Sequence, residues 1–188
     1  LTRALDAQLR ATEARELTRL IPGARAWMAK RATTARTAGV ALAAIPSAPT
    51  VGQLLTLNSN AKSACSSPVL RTGRVVALSA KAVIVADTNN PAGEFTVAEY
   101  QAIGSQFANV VDPMSTQTFG APTDIDGNSR VLLFFTRAVN ELTASGSNSY
   151  VGGFFFARDL LPATGSADFQ ACPASNGGEM FYLMVPDP

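Results

Sequence analysis

The sequence predicts an α+β fold, and three observations carry that expectation. Leucine recurs at near-helical spacing close to the N-terminus. Short β-branched runs crowd residues 51–87. A helix-capping signature at residues 95–99 precedes three long apolar runs. In chain order these imply a helical arm, a small antiparallel β-unit, and a region of one helix followed by three strands. With 188 residues, 47% apolar and 15% charged, the chain can build one good core.

Residues 1–49 form the arm and its linker. The stretch TRALDAQLRATEARELTRLI, residues 2–21, is rich in strong helix formers. Leu5, Leu9, Leu17, Leu20 and Ile21 recur along it with arginine and glutamate between them, and Pro22-Gly23 breaks it. ARAWMAKR resumes the helix, with Trp27 and Met28 as anchors. Packing against the body is the simpler reading of this arm; a basic amphipathic helix on a membrane surface is the other. Residues 32–50, Ala- and Thr-rich and ending in two prolines, read as a linker.

Residues 50–90 form the small β-unit. QLLTLN, RTGRVVALSA and KAVIVAD are short strand-like runs, with Ser79-Ala80-Lys81 as a hairpin turn. Such a unit is marginal alone and needs a surface to pack on. Residues 91–188 follow. Thr96 is an N-cap with Glu99 three positions on, a capping box, and Phe95 and Tyr100 are the matching hydrophobic staple. Ile103, Phe107 and Val110 continue the apolar face, and Asp112-Pro113 ends the helix. RVLLFFT, YVGGFFFA and EMFYLMVP then predict three strands, and the continuous apolar character of the last two predicts cover on both faces. Gly152-Gly153 permits close backbone approach or a bulge.

The net charge of +1 argues against nucleic acid as a bulk partner. Residues 1–37 hold eight Lys/Arg against three Asp/Glu, so a basic arm joins a mildly acidic body. No segment has the length and apolarity of a membrane span. A start at Leu1 without a charged-then-apolar leader is expected of a mature product or a fragment. Cys65 and Cys172 are either one disulfide or two free thiols. Scarce lysine with abundant Asn, Ser, Thr and Gly points to a secreted protein.

The 188 residues contain no histidine. That excludes a Ser-His-Asp triad, a Cys-His pair and any histidine-ligated zinc built from these residues. Two cysteines cannot complete a four-thiolate site either. Asp124, Asp126 and Asn128, in PTDIDGNSRVLLFF, offer three side-chain oxygens at alternating positions, as calcium requires. Glycine at the fourth place and no glutamate at the twelfth rule out an EF-hand. Asp-Gly-Asn-Ser is also good turn chemistry alone, so a plain turn and a calcium-supported turn both stay open. Glu179 is a general base, the cap of a strand end or the partner of an arginine. Arg137, Arg158 and Asp159 are candidates for a buried ion pair. No catalytic residue is assigned.

The succession RTGRVVALSAKAVIVADTNNPAGEFTVAEY, FGAPTDIDGNSRVLLFFTRAVNEL, VGGFFFARDL and SNGGEMFYLMVPDP resembles the secreted bacterial zinc metallopeptidases of the hyicolysin type. The resemblance covers roughly residues 50–188. It implies that residues 91–188 are the upstream half of a zincin-like α/β domain. In that family a helix bearing His-Glu-x-x-His follows the strand that matches MFYLMVP, holds zinc and activates its water. This chain stops at Pro188, short of such a helix. The resemblance therefore transfers scaffold only: zinc belongs to the full-length protein, and the 188 residues are expected to be inactive alone. The implied partners are the remainder of the polypeptide or another copy, and a peptide or protein substrate in the full-length enzyme. The rival expectation is a non-catalytic extracellular protein that reuses the scaffold for structure or self-assembly.

Overall fold

A computed structural model describes residues 45–62, 65–146, 148–164 and 171–186. The expected helical arm, with its membrane-surface alternative, lies outside the described residues. All described residues belong to the unit Val40–Pro188. Six strands make one mixed sheet: β1 (Leu54–Asn58), β2 (Leu70–Leu78), β3 (Ala82–Asp87), β4 (Val131–Phe135), β5 (Gly153–Phe155) and β6 (Met180–Leu183). Their order is β1-β2-β3-β4-β6-β5. The first three are antiparallel neighbours. β3, β4 and β6 run parallel, and β5 returns antiparallel on the outer edge. The fold is α+β, as the sequence predicts.

Tight turns and helical crossovers explain this order. β2 and β3 are joined through Ser79, whose N–H bonds to Ala82 O at 2.9 Å and whose Oγ accepts from Ala82 N at 2.9 Å. The parallel step from β3 to β4 needs a crossover, which a helix provides. The central strands are apolar throughout because both faces are covered: every residue of β3 and of β4 is buried. One face carries Leu55, Leu57, Val75, Val83, Val85, Leu132, Phe134 and Tyr182, joined by Ile45. Ile45, at the end of the Ala/Thr-rich stretch, is fully buried. The other face carries Ile84, Leu133 and Phe135 beneath the helix residues Tyr100 and Phe107.

The crossover helix begins as its capping box predicts: α1 (Val97–Gln106) starts at Thr96, which exchanges side-chain and backbone bonds with Glu99. The staple is present too, with the Phe95 and Tyr100 rings 5.6 Å apart, and both pack on Phe135. The expected end at Asp112-Pro113 is corrected. The helix runs through a π-helical turn (Phe107–Val111) into α2 (Asp112–Phe119). Asp112 N–H bonds back to Phe107 O, five residues away. This wider turn relaxes the ladder where proline lacks an N–H and would press on the preceding turn. The extra residue also rotates the face, so Phe107 is buried while Val110, expected on the apolar side, is 46% exposed. Gly120, at φ 89°, ends the helix.

The expected cover on both faces of β5 and β6 is corrected. Phe155 is 47% exposed and Phe181 39%. Both lie on the helix-bearing face, paired in register and with ring centroids 6.1 Å apart. The helix packs over β2 and β3, leaving these two strands beyond its reach. Cys65 and Cys172 are bonded to each other, with Cα atoms 4.6 Å apart and a separation of 107 positions in sequence. The disulfide alternative is the one realised.

Candidate functional site

In open sheets with parallel strands, ligands meet the carboxyl ends of the strands. Here those ends belong to β3, β4 and β6. Asp87, at the end of β3, is buried and accepts from Thr136 Oγ1 at 2.6 Å and from Arg71 Nη1 at 3.3 Å. Arg71 also reaches Glu141 Oε2 at 2.9 Å. Asn90 Nδ2 donates to Glu94 Oε2 at 2.7 Å and to Phe135 O at 3.0 Å. Asn140, in the short helix α3 (Arg137–Asn140), exchanges two bonds with the Val185 backbone. These groups spend their hydrogen bonds on fixing the loops around the strand ends.

The expected ion pair is real for two of its three members. Arg158 and Asp159 sit in a 3₁₀ turn (Ala157–Leu160) after β5, with side chains 0% exposed and Nε 3.1 Å from Oδ1. Arg137 is excluded; it is half-exposed and faces Glu141 at 4.0 Å, one helical turn on. Sequence reasoning misses the partners that make the pair tolerable. Arg158 Nη2 donates to Tyr182 Oη at 2.8 Å and to Asn58 O at 3.2 Å. Tyr182 donates to Asp159 Oδ2 at 2.6 Å. Asn176 Nδ2 donates to Tyr182 Oη at 2.7 Å, and its Oδ1 accepts from Asn58 N. Burial and the facing Asp159 carboxylate push the Tyr182 phenol well above its usual range. This network ties β1, the turn after β5, and the segment before β6 into one block. A polar tetrapeptide such as Ser175-Asn176-Gly177-Gly178 carries no trace of a partner more than a hundred residues away.

The acidic loop stands at the opposite end, before the amino ends of β4 and β6. Its side chains serve the loop itself. Asp124 Oδ1 accepts from Ser129 N at 2.7 Å, and Asp126 accepts from Asn128 N at 3.2 Å and from Asn128 Nδ2 at 2.7 Å. Asn128 Oδ1 accepts from Arg130 N at 2.7 Å. These are turn bonds of the Asx kind. Glu179, just before β6, is buried and accepts from Thr123 Oγ1 and from Ile125 N, fastening the loop to the sheet. That is a capping role, with both oxygens engaged.

Burial, with Glu179 and Asp124 adding repulsion, pushes the Asp126 carboxyl from 3.8 up to about 7. Gly178 lies directly beneath it; a Cβ there would sit 2.7 Å from Asp126 Oδ2 and 2.8 Å from Ile45 Cδ1. Folding therefore favours the protonated acid. Its contribution is full below pH 3.8 and is lost as pH rises through about 7. Asp126→Asn is expected to raise the unfolding free energy by roughly 1–3 kcal/mol at pH 8, after allowing for partial solvent screening. At pH 4 the gain should vanish. Urea unfolding at the two pH values measures it, and an equal gain at both would contradict the raised titration.

The remaining feature is the edge of β5, open among the described residues. Gly152, Gly153 and Phe155 are exposed, and so is Tyr150 beside them. Gly153 admits no side chain, since a Cβ would lie 2.8 Å from Tyr182 O. This is the close backbone approach that the glycine pair predicts. On its other side β5 is anchored by Phe154, stacked on Tyr182 at 4.5 Å. An open antiparallel edge can accept an extended polypeptide through main-chain hydrogen bonds. The donor set for zinc does not fit. There is no histidine in the chain, both cysteines are consumed in the disulfide, and no three His, Cys, Asp or Glu side chains gather among the described residues.

No family model matches the sequence. Over 81 residues, 43% of this chain, it is 33% identical to the neutral metalloprotease ShpI of Staphylococcus hyicus. The match covers 16% of that protein's length. This similarity supports a metallopeptidase-related origin for the chain. No described helix is long and apolar enough to cross a membrane.

Proposed function

We propose that residues 50–188 are the scaffold part of a secreted zinc metallopeptidase, whose ion-holding groups and general base come from residues outside these 188. The carrying observation is the strand set β3-β4-β6-β5: three parallel strands bounded by a short antiparallel strand with an open edge. That arrangement agrees with the zincin-like domain which the motif succession implies. Residues 50–90 brace it from the far side through β1 and β2, and residues 91–188 carry the edge itself. The edge of β5 holds the polypeptide substrate extended, and the Arg158 network fixes where that edge stands. Zinc would be held by residues outside these 188 and would supply the hydrolytic water there; the residues present here orient the chain to be cut. The disulfide supports an oxidising, extracellular setting.

The uncovered Phe155 and Phe181 rings support the same reading, since an apolar sheet surface of this kind is where a further element packs. A peptidase assay tests the division of labour. The 188-residue chain, with a broad peptide substrate and added zinc, is expected to give no turnover that a chelator abolishes. Chelator-sensitive hydrolysis would overturn the assignment of the ligands elsewhere. A non-catalytic assembling protein is the alternative reading of the same exposed rings, and light scattering separates them: concentration-dependent oligomers favour assembly.

A further inference from the structure

We propose that the cavity at the amino end of β4 binds a small zwitterion of the α-amino-acid class, with its carboxylate on Arg130 and Lys81 and its ammonium on Asp112. This cavity stands at the other end of the sheet from the carboxyl ends of the parallel strands. It is open to a ligand whether or not the chain serves a peptidase.

Irregular backbone converges on this cavity of about 180 Å³. Its wall includes Asp124 and Ser129, two non-glycine residues at positive φ, 53° and 59°. Side chains rarely accept that conformation, and such strain clusters at binding and switch sites. Asp112 enters from the position that follows the π-helical turn, a second irregularity frequent at functional sites. Ser79 sets both cations. Its Oγ accepts from Lys81 N at 3.3 Å, and its carbonyl accepts from Arg130 Nε at 2.8 Å. Asn128 O accepts from Arg130 Nη1 at 3.2 Å. The guanidinium is thus fixed by two backbone carbonyls, and its Nη2 makes no bond among the described residues.

The charges around the cavity choose the ligand. Lys81 and Arg130 stand against Asp112 and Asp124. Asp124 spends its carboxylate on Ser129, accepting from its N–H at 2.7 Å and from its Oγ at 3.4 Å. Asp112 does not. Lys81 Nζ is 3.8 Å from Asp112 Oδ2, too far for a hydrogen bond, and the Asp112 side chain is only 13% exposed. A carboxylate largely withdrawn from water, with no donor at bonding distance among the described residues, is stabilised by an ammonium seated on it. A simple anion would meet two carboxylates, and a simple cation would meet an ammonium and a guanidinium. A molecule with one charge of each sign can place each against its opposite. The volume is well below the roughly 300 Å³ at which drug-sized ligands begin to fit, so the ligand is small. Pro122 and Val131 complete the wall and give a short aliphatic side chain an apolar contact.

Chemical-shift titration of the ¹⁵N-labelled 188-residue chain tests this with L-alanine, alaninamide, N-acetylalanine and inorganic phosphate as probes. Alanine at millimolar concentration is expected to shift the amides of Asp112, Ser129 and Arg130. Alaninamide lacks the anionic end and N-acetylalanine the cationic one. Each should bind at least about tenfold more weakly, the cost of one charge-assisted hydrogen bond. Asp112→Asn, which is nearly isosteric, should weaken alanine by a similar factor and leave N-acetylalanine no weaker, since it removes a repulsion. Lys81→Gln, at a half-exposed side chain, should weaken alanine and leave alaninamide no weaker. The probe series on the parent chain decides the matter even where a variant fails to fold. Phosphate or N-acetylalanine binding as tightly as alanine would make the cavity an anion site, and alaninamide doing so would make it a cation site; either overturns the proposal. So does alanine that shifts none of these amides, or alanine binding that both folded variants leave unchanged.

Discussion

Arg158→Leu is expected to lower the unfolding free energy by about 3–5 kcal/mol, the usual cost of stranding one member of a buried ion pair. The guanidinium is 0% exposed and bonds to Asp159, Asn58 and Tyr182, with Nη1 2.6 Å from Asn60 O. It also lies 4.4 Å from the centre of the Phe156 ring. Without it, Asp159 keeps bonds from Asn176 N and Tyr182 Oη but loses the guanidinium that faces it. Two carbonyls lose donors as well. Adding Asp159→Asn to the leucine variant should recover more than 1 kcal/mol of what additivity predicts, because the charges act as a unit. Urea unfolding followed by circular dichroism gives all three numbers. A single-variant loss under about 1 kcal/mol would mean that water reaches this site and screens it.

Replacing both Cys65 and Cys172 with alanine is expected to cost about 4–5 kcal/mol, from the entropy restored to an unfolded chain freed of a cross-link spanning 107 residues. The folded geometry should survive. Asn58 Nδ2 donates to Ala174 O at 2.8 Å and Asn58 N to Asn176 Oδ1 at 2.8 Å, so the same two segments are tied without the bond. Hydrogen exchange separates the two effects. Protection of the Asn58 and Asn176 amides should fall only by the global loss, whereas a much larger local drop would show that the disulfide holds the folded state itself. A loss near zero would mean that the reduced unfolded chain stays compact around residues 65 and 172.

The elements that chain-local chemistry specifies were legible. The Thr96–Glu99 capping box, the Phe95–Tyr100 staple and the Ser79 turn each involve neighbours within a few positions, and each stands where the sequence put it. β3 and β4 were legible as short apolar runs bounded by turn residues. The expectation of cover on both faces misleads at β5 and β6. Phe155 and Phe181 look like core in sequence, since apolarity cannot say whether a second layer extends far enough to cover it. Pro113 misleads for a related reason. A proline forbids the regular α ladder, but the wider π turn at Phe107–Val111 lets the helix continue to Phe119.

The candidate site divides along the same line. Asp124, Asp126 and Asn128 were visible as a cluster because a turn gathers its own side chains. Glu179 was visible as a charge; its grip on Thr123 and Ile125 was not.

By itself, then, this sequence determined its six strands, the start of its crossover helix, its α+β class and the want of an imidazole, all of which follow from local sterics, periodicity and side-chain identity. Only the tertiary structure decided that Arg158 is buried, that β5 is the open edge, and which aromatic rings stay bare. Those depend on pairings between segments far apart in the chain, where one strand's neighbour is chosen by packing and by the completion of hydrogen bonds, and neither leaves a period in the sequence.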